Sequence, residues 1–231
     1  MPTNRPPSSS LPEPARVLRL GVTGHRPNRL PPSALPRLRR QTGEVIALLE
    51  SIAGEAQAAQ AEVSRAGRPV LLRTLSALAQ GADTLVAEIA LERGAELEAP
   101  LPFAVAEYER DFPVGPPREC FHRLLGRAAR VFPLGGTRER EAEAYEAVGR
   151  LVVERCDVLL AIWDGEPAAG QGGTALIAAY ARELGVPVIW IHAASERPPC
   201  LLASDAGAAR EAMPIEALRG RLLTKLASPA R

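Results

Sequence analysis

A glycine-rich loop in the second half of the chain has residue types that suit a phosphate group. The loop ends in Gly172-Gly173-Thr174 and follows Trp163-Asp164, at the end of an apolar run. Glycine lets the backbone approach a ligand closely, and the first turn of a helix offers free N–H groups with a partial positive charge. We therefore predict that this loop holds phosphate. The alternative is that its glycines only turn the chain and Thr174 only caps the following helix.

A second candidate site lies in the loop after the first strand-like segment, at Thr23, Gly24, His25 and Arg26. The Arg26 guanidinium could bind an oxyanion through two parallel hydrogen bonds, and His25 could exchange a proton near neutral pH. The spacing is neither that of the dinucleotide-binding motif GxGxxG nor that of a P-loop. A tight turn with polar surface side chains is the alternative.

Further candidates follow the second predicted strand and the apolar run. Ser76 directly follows the second predicted strand, residues 69–75. Gly81 permits close approach of a ligand or of another backbone segment. Asp83 is expected to favour the N-terminus of the next helix. We expect the base and ribose of a nucleotide to meet Asp164, Ser76 and Trp163, although Asp164 could instead only structure its own loop. The predicted ligand-binding set is Thr23, Gly24, His25, Arg26, Ser76, Gly81, Trp163, Asp164, Gly172, Gly173 and Thr174.

The remaining candidates for paired-carboxylate chemistry are Glu107, Tyr108 and Asp111. Such chemistry needs two acids in different environments, and we expect a solvated helix face here instead. The charged residues of 138–155 are expected to form surface pairs, with Tyr145 and Arg150 the two that could reach a crevice. The sequence identifies no catalytic residue.

The cysteines and histidines do not form a recognisable metal site. Cys120, Cys156 and Cys200 lie far apart, with neither a CxxC pair nor a metal-like spacing to the three histidines. Neither a metal nor a cofactor is therefore predicted. Unpaired thiols are typical of a reducing cytoplasm.

Composition and charge limit the classes of partner. The formal charge is +1, from 28 basic and 27 acidic residues, and aromatic residues make up 4% of the chain. We therefore expect any anion site to be local and nucleic acid not to be a partner. No apolar run reaches the roughly 20 residues that cross a membrane, and residues 1–14 lack the apolar core of a signal peptide. We expect a cytoplasmic protein that does not enter a membrane.

Short apolar strands alternate with longer helices along most of the chain. Strands are predicted at residues 17–22, 69–75, 96–101, 130–132, 157–163 and 186–191, and helices at 33–65, 84–93, 138–155 and 173–184. This order predicts an α/β, Rossmann-like fold, with a mostly parallel sheet and helices on both faces. In such sheets ligands bind beyond the carboxyl ends of the strands, near the point where strand order reverses. We expect a disordered leader at 1–14, the nucleotide-binding domain at 15–193 and a C-terminal helical extension at 194–231.

Three loops taken together resemble those of the SLOG superfamily. The loops are Gly21-Val22-Thr23-Gly24-His25-Arg26, residues 76–83, and residues 156–175 with the Gly172-Gly173-Thr174 motif. That superfamily includes the DNA-processing protein DprA and the Lonely Guy phosphoribohydrolases, and the likeness favours its bacterial conflict-system branch. The resemblance covers residues 18–192 and implies a Rossmann-like crevice for nucleotides, with Gly24, Gly172, Gly173 and Thr174 as phosphate contacts.

The resemblance allows three functions to be compared. The first is a sensor of a nucleotide or nucleotide-derived signal, acting in an antiphage system as a homo-oligomer with a separate effector protein. The second is an N-glycosidase or deoxyribosyltransferase-like enzyme. Lonely Guy proteins carry a glutamate after the glycine-threonine motif, whereas Thr174 is followed here by Ala175-Leu176-Ile177. Asp164 or Glu107 could take the place of that carboxylate. The third is binding of single-stranded DNA, as in DprA.

Overall fold

The computed structural model describes residues 16–63, 69–167, 173–203 and 212–227, and one sheet runs through all four parts. Its strands are β1 (Arg16–Gly24), β2 (Val70–Leu75), β3 (Glu96–Leu101), β4 (Arg130–Pro133), β5 (Val158–Trp163), β6 (Val188–His192), β7 (Cys200–Leu202) and β8 (Ala212–Pro214). The helices are α1 (Leu35–Val63), α2 (Ala82–Glu92), α3 (Val105–Tyr108), α4 (Pro116–Arg127), α5 (Glu141–Arg155), α6 (Thr174–Glu183) and α7 (Leu218–Ala227).

The strand order is β4-β3-β2-β1-β5-β6-β7-β8, and β1 to β6 pair in parallel. From β1 the chain moves outwards through β2 and β3 to β4, and then returns to place β5 on the other side of β1. Strand order therefore reverses between β1 and β5, whose carboxyl ends are Gly24 and Trp163. The predicted fold class, a Rossmann-like α/β fold with a mostly parallel sheet, is confirmed.

Apolar side chains of β5 alternate between the two faces of the sheet, and each face has its own core. Leu160 packs in the cluster that contains residues of α1, α2 and α7, whereas Leu159 packs in the cluster that contains residues of α5 and α6. Every residue of β5 is buried. A strand covered on both faces needs a continuous apolar sequence, which is why this run was recognisable.

A third core is built from aromatic rings beside β3. Phe112 stacks on Phe121 with ring centroids 4.3 Å apart, and Tyr108 lies edge-on to both. This cluster anchors α3 and the turn Glu109–Asp111 against α4. The expectation of a solvated face here is therefore wrong for Tyr108, which is buried because the turn packs its ring inwards.

The C-terminal region differs from the expected helical extension. Residues 200–202 and 212–214 form β7 and β8, which pair antiparallel and continue the main sheet beyond β6. Three-residue strands are too short to show an alternating pattern in sequence. The helical expectation does hold for α7, whose Leu222 packs in the same core as α1.

No helix in the described part of the chain is both long and apolar enough to span a membrane.

Candidate functional site

A cleft of about 680 Å³ lies over the carboxyl ends of β1 and β5. Loops that follow β1, β2, β3 and β5 line it together with parts of α5 and α6. This is the position at which an open parallel sheet usually receives its ligand, because the connections on either side of the reversal leave in opposite directions. The lining includes Thr23, Gly24, His25, Arg26, Asp83, Asp111, Glu141, Tyr145, Gly173, Thr174 and Ala175.

The loop after β1 is held tightly against the start of α2. A Cβ on Gly24 would lie 2.3 Å from the Cβ of Ala82, and one on Gly81 would lie 2.5 Å from the His25 carbonyl oxygen. Gly81 also has a φ of +114°, and the Ala82 amide donates to the His25 carbonyl over 3.0 Å. Gly81 therefore serves close packing of two backbone segments, while Gly24 combines such packing with a place in the cleft wall.

Arg26 and Arg29 of this loop both line the cleft, and 42% of the Arg26 side chain remains exposed. Its guanidinium lies 3.8 Å from Asp111 and 5.1 Å above the ring of Tyr145. Burial alone would lower the pKa of Arg26, but the neighbouring Tyr108, Tyr145 and Asp111 together raise it. Arg26 is thus a permanent charge that a ligand's anionic group can approach.

The Asp164 carboxylate forms ion pairs with two side chains beside the cleft. The His25 Nε2 atom lies 3.0 Å from its Oδ1, and Arg29 donates to its Oδ2 over 2.5 Å. The Glu166 amide donates to Oδ1 over 3.0 Å. Burial raises the pKa of Asp164, but the hydrogen bonds from His25, Glu166 and Arg29 outweigh it and lower that pKa to about 2. Asp164 therefore fixes the β1 and β5 loops to each other and is absent from the lining of the cleft.

Ser76 and Asp83 form a buried polar pair, of which Asp83 lines the cleft and Ser76 lies behind its lining. The Ser76 hydroxyl is fully buried, donates to the Asp83 carbonyl over 3.3 Å and accepts from the Leu78 amide over 3.1 Å. Leu78 has a φ of +59°, a conformation that branched and bulky side chains rarely adopt. Asp83 lines the cleft with 6% exposure, and burial raises its pKa to about 7 against the opposing effect of Arg26.

A polar wall that the predicted ligand-binding set does not contain completes the cleft. Only 9% of the Asp111 side chain is exposed. Its Oδ1 accepts a hydrogen bond from Arg138 over 2.7 Å, and its Oδ2 accepts one from the Tyr145 hydroxyl. The Tyr145 hydroxyl also lies 3.0 Å from Glu141 Oε1, and Arg138 donates to that oxygen over 2.8 Å. The expectation of a solvated face is therefore wrong for Asp111 as well. The sequence signal was the pair of aromatic residues at 108 and 112, whose rings are buried on either side of the turn and hold it against the core.

The start of α6 opens onto the cleft through Gly173, Thr174 and Ala175. Gly173 has an extended backbone, with φ −67° and ψ 152°, and Thr174 is the first helical residue. Gly172 lies outside the described residues, as do all of residues 168–172. Trp163 packs in the core with its ring centroid 5.0 Å from that of Trp190, and it does not line the cleft.

The structure thus brings Thr23, Gly24, His25, Arg26, Gly173 and Thr174 to one cleft, and it places Ser76, Gly81, Trp163 and Asp164 behind or beside its lining. Among the described residues, no group of histidine, cysteine and carboxylate side chains has an arrangement that could hold a metal ion.

Comparison with known proteins yields likeness in structure alone. No protein-family model matches the sequence, and no curated protein matches it. DprA from Streptococcus pneumoniae is 16% identical with a TM-score of 0.49, over 75% of this chain and 50% of that one. The structural-genomics target TM1055 is 17% identical with a TM-score of 0.41, over 74% and 72%. DprA from Helicobacter pylori is 14% identical with a TM-score of 0.43, over 91% and 74%.

These similarities concern the fold. The chain spans about half the length of the pneumococcal DprA. The Helicobacter protein is described by its single-stranded DNA binding mode. Our expectation that nucleic acid is not a partner is corrected by this finding, because it rested on near-neutral charge and few aromatic residues. Those two features do not by themselves exclude nucleic acid as a partner.

Proposed function

We propose that this protein binds a nucleotide or a nucleotide-derived molecule in the cleft, with a phosphate at the N-terminus of α6. The observation that carries the proposal is that Gly173, Thr174 and Arg26 line one cleft at the reversal of strand order. The free N–H groups of the first helical turn and the Arg26 guanidinium are complementary to phosphate oxygens. A cleft of about 680 Å³ is of the size that encloses small ligands.

The resemblance to SLOG domains favours sensing of a nucleotide-derived signal as the role of this binding. Placement in a bacterial antiphage system rests on that resemblance alone. Mass spectrometry of small molecules released from the purified protein would identify a retained ligand and, with it, the base and the number of phosphates.

The proposal is tested by isothermal titration calorimetry with a panel of ribonucleoside and deoxyribonucleoside monophosphates and cyclic dinucleotides. Gly173→Glu should abolish binding, because it adds a carboxylate where the phosphate would lie, and the extended backbone there accepts a side chain without strain. The matched control is Gly126→Glu on α4, which is exposed and has open space around an added Cβ. Unchanged heats for Gly173→Glu would refute the phosphate site, and no heat from any nucleotide would refute the function.

Single-stranded oligonucleotides form a separate arm of this experiment. A phosphodiester presents the same oxygens to α6 and Arg26 as a nucleotide does. Competition between an oligonucleotide and a bound mononucleotide would place nucleic acid in the same cleft. Binding of both without competition would indicate a separate surface.

A second candidate function is hydrolysis of an N-glycosidic bond, favoured by two carboxyl groups that line the cleft in different environments. Asp83 is buried with a pKa raised to about 7, while Asp111 is held by Arg138. The carboxylates that the sequence suggested are less suitable, since Asp164 and Glu107 are both in ion pairs outside the lining. In this reaction water adds to C1′ of the sugar, and the released base takes a proton. Free base in a chromatogram, lost in Asp83→Asn, would support it.

A further inference from the structure

We infer that Asp111 and Glu141 bind the sugar hydroxyls of the ligand, so that the cleft selects ribonucleotides over deoxyribonucleotides. The inference rests on the proposed function and assigns the sugar subsite within the same cleft. Both residues line that cleft, one from the turn before α4 and the other from the first position of α5.

The chemistry of this wall is complementary to hydroxyl groups. Carboxylates repel a phosphate, whereas the free N–H groups at the N-terminus of α6 attract one. The sugar diol is a neutral part of a nucleotide that can donate two hydrogen bonds, and a carboxylate accepts hydrogen bonds at about four lone-pair sites. The polar wall is therefore complementary to the sugar diol, and the comparison of ribose and deoxyribose ligands below separates this contact from one with the base.

Accepting capacity remains on both carboxylates. Asp111 Oδ1 receives one bond from Arg138, and Oδ2 receives the Tyr145 hydroxyl, with Arg26 3.8 Å away. Within the described residues, Arg138 and Tyr145 both contact Glu141 through Oε1. Glu141 Oε2 is thus available to a ligand, and each oxygen of Asp111 can accept at least one further bond.

The two carboxylates are held in place before any ligand arrives. One guanidinium, that of Arg138, reaches Asp111, Glu141 and Glu107, and lies 4.3 Å over the ring of Phe103. The Tyr145 ring is edge-on to Phe103 at 5.6 Å. Because these contacts already restrict the side chains, binding a diol requires little additional ordering.

Charge in the wall also favours a neutral donor. Asp111 and Glu141 bring two carboxylates to this wall, and among the described residues the arginines that contact them are Arg26 and Arg138, with Arg138 on Oε1 of Glu141, which leaves Oε2 to other donors. Hydroxyl donors can satisfy that oxygen without bringing in another charge. A hydrogen bond to a charged acceptor contributes more than one between neutral groups.

The test compares the best-binding ribonucleoside monophosphate of the panel with its 2′-deoxy and 3′-deoxy analogues by calorimetry. We expect the wild-type protein to bind at least one deoxy analogue roughly tenfold more weakly or worse, as loss of a charged hydrogen bond predicts. Glu141→Gln and Asp111→Asn should reduce this ratio, whereas Glu143→Gln, an exposed carboxylate two residues further along α5, should retain it.

Asp111→Asn removes a charge from a buried network, so its thermal unfolding is measured alongside. If Asp111→Asn does not fold, the test still stands on two other measurements. These are the analogue series on the wild-type protein and the Glu141→Gln variant, whose side chain is half-exposed. Equal affinity for ribo and deoxy ligands, or a ratio unchanged in Glu141→Gln, would overturn the inference while leaving nucleotide binding intact. Absence of heat from every nucleotide of the panel, cyclic dinucleotides included, would overturn the proposed function itself.

Discussion

The buried carboxyl group of Asp83 makes a quantitative prediction about stability. Burial raises its pKa to about 7, against an ordinary value of 3.8, and Asp83→Asn replaces it with a group of the same shape that does not titrate in this range. Below pH 4 the carboxyl is protonated in both folded and unfolded chains. Between pH 4 and 7 the folded protein keeps the proton that the unfolded chain has released. Stability from this group is therefore lost as pH rises towards 7.

The size of the effect follows from the difference between the two pKa values. Each pH unit contributes roughly 1.4 kcal/mol, so the wild-type protein should lose about 4 kcal/mol relative to Asp83→Asn as the pH rises from about 3 to about 8, most of it between about pH 4 and pH 7. The backbone amides that neighbour Asp83 can still donate to the Asn side-chain oxygen, so the variant retains the acceptor.

Urea unfolding at several pH values, followed by the fluorescence of the buried Trp163 and Trp190, measures this difference. Glu44→Gln on α1, an exposed carboxylate, is the control and should follow the wild-type pH profile. The explanation fails if wild-type and Asp83→Asn stabilities run parallel from pH 4 to pH 8, since the carboxyl would then ionise alike in both states.

Two more predictions concern the loops around the cleft. Gly81→Ala should destabilise the protein by roughly 1–3 kcal/mol more than Gly94→Ala in thermal unfolding, since both glycines have positive φ but only at Gly81 would the added Cβ meet a backbone oxygen. An equal cost would show that the contact with His25 relaxes. Asp164→Asn should remove a component of acid unfolding between pH 4 and pH 2, because the pKa of Asp164 is lowered to about 2 and its stabilising contribution is lost as pH falls through that value. Identical acid profiles of variant and wild type would contradict this.

Most strands and helices could be predicted from the sequence because their patterns are local. The continuous apolar run that became β5, and the amphipathic spacing that became α1, each depend on residues within a few positions of one another. The same is true of the loop before α6, where glycines and a threonine precede a helix. The short strands β7 and β8 lacked such a pattern and were missed.

The candidate site was only partly predictable, because burial and partner choice depend on distant segments. Asp164 has the residue type to bind ribose, yet Arg29 and His25 come from another loop to occupy it. Asp111 appeared to belong to a charged surface, and only the packing of Tyr108 and Phe112 shows that it faces the cleft.

The sequence by itself thus determined the α/β order and the positions of β1 and β5 along the chain, and it supplied the Gly172-Gly173-Thr174 motif on which the predicted phosphate site rests. Tertiary structure decided which polar groups share the cleft. Arg138 comes from the turn before α5 and Tyr145 from α5 itself. They contact Asp111 across 27 and 34 residues of chain, respectively. Such meetings follow from how helices pack on the sheet, which no local periodicity encodes.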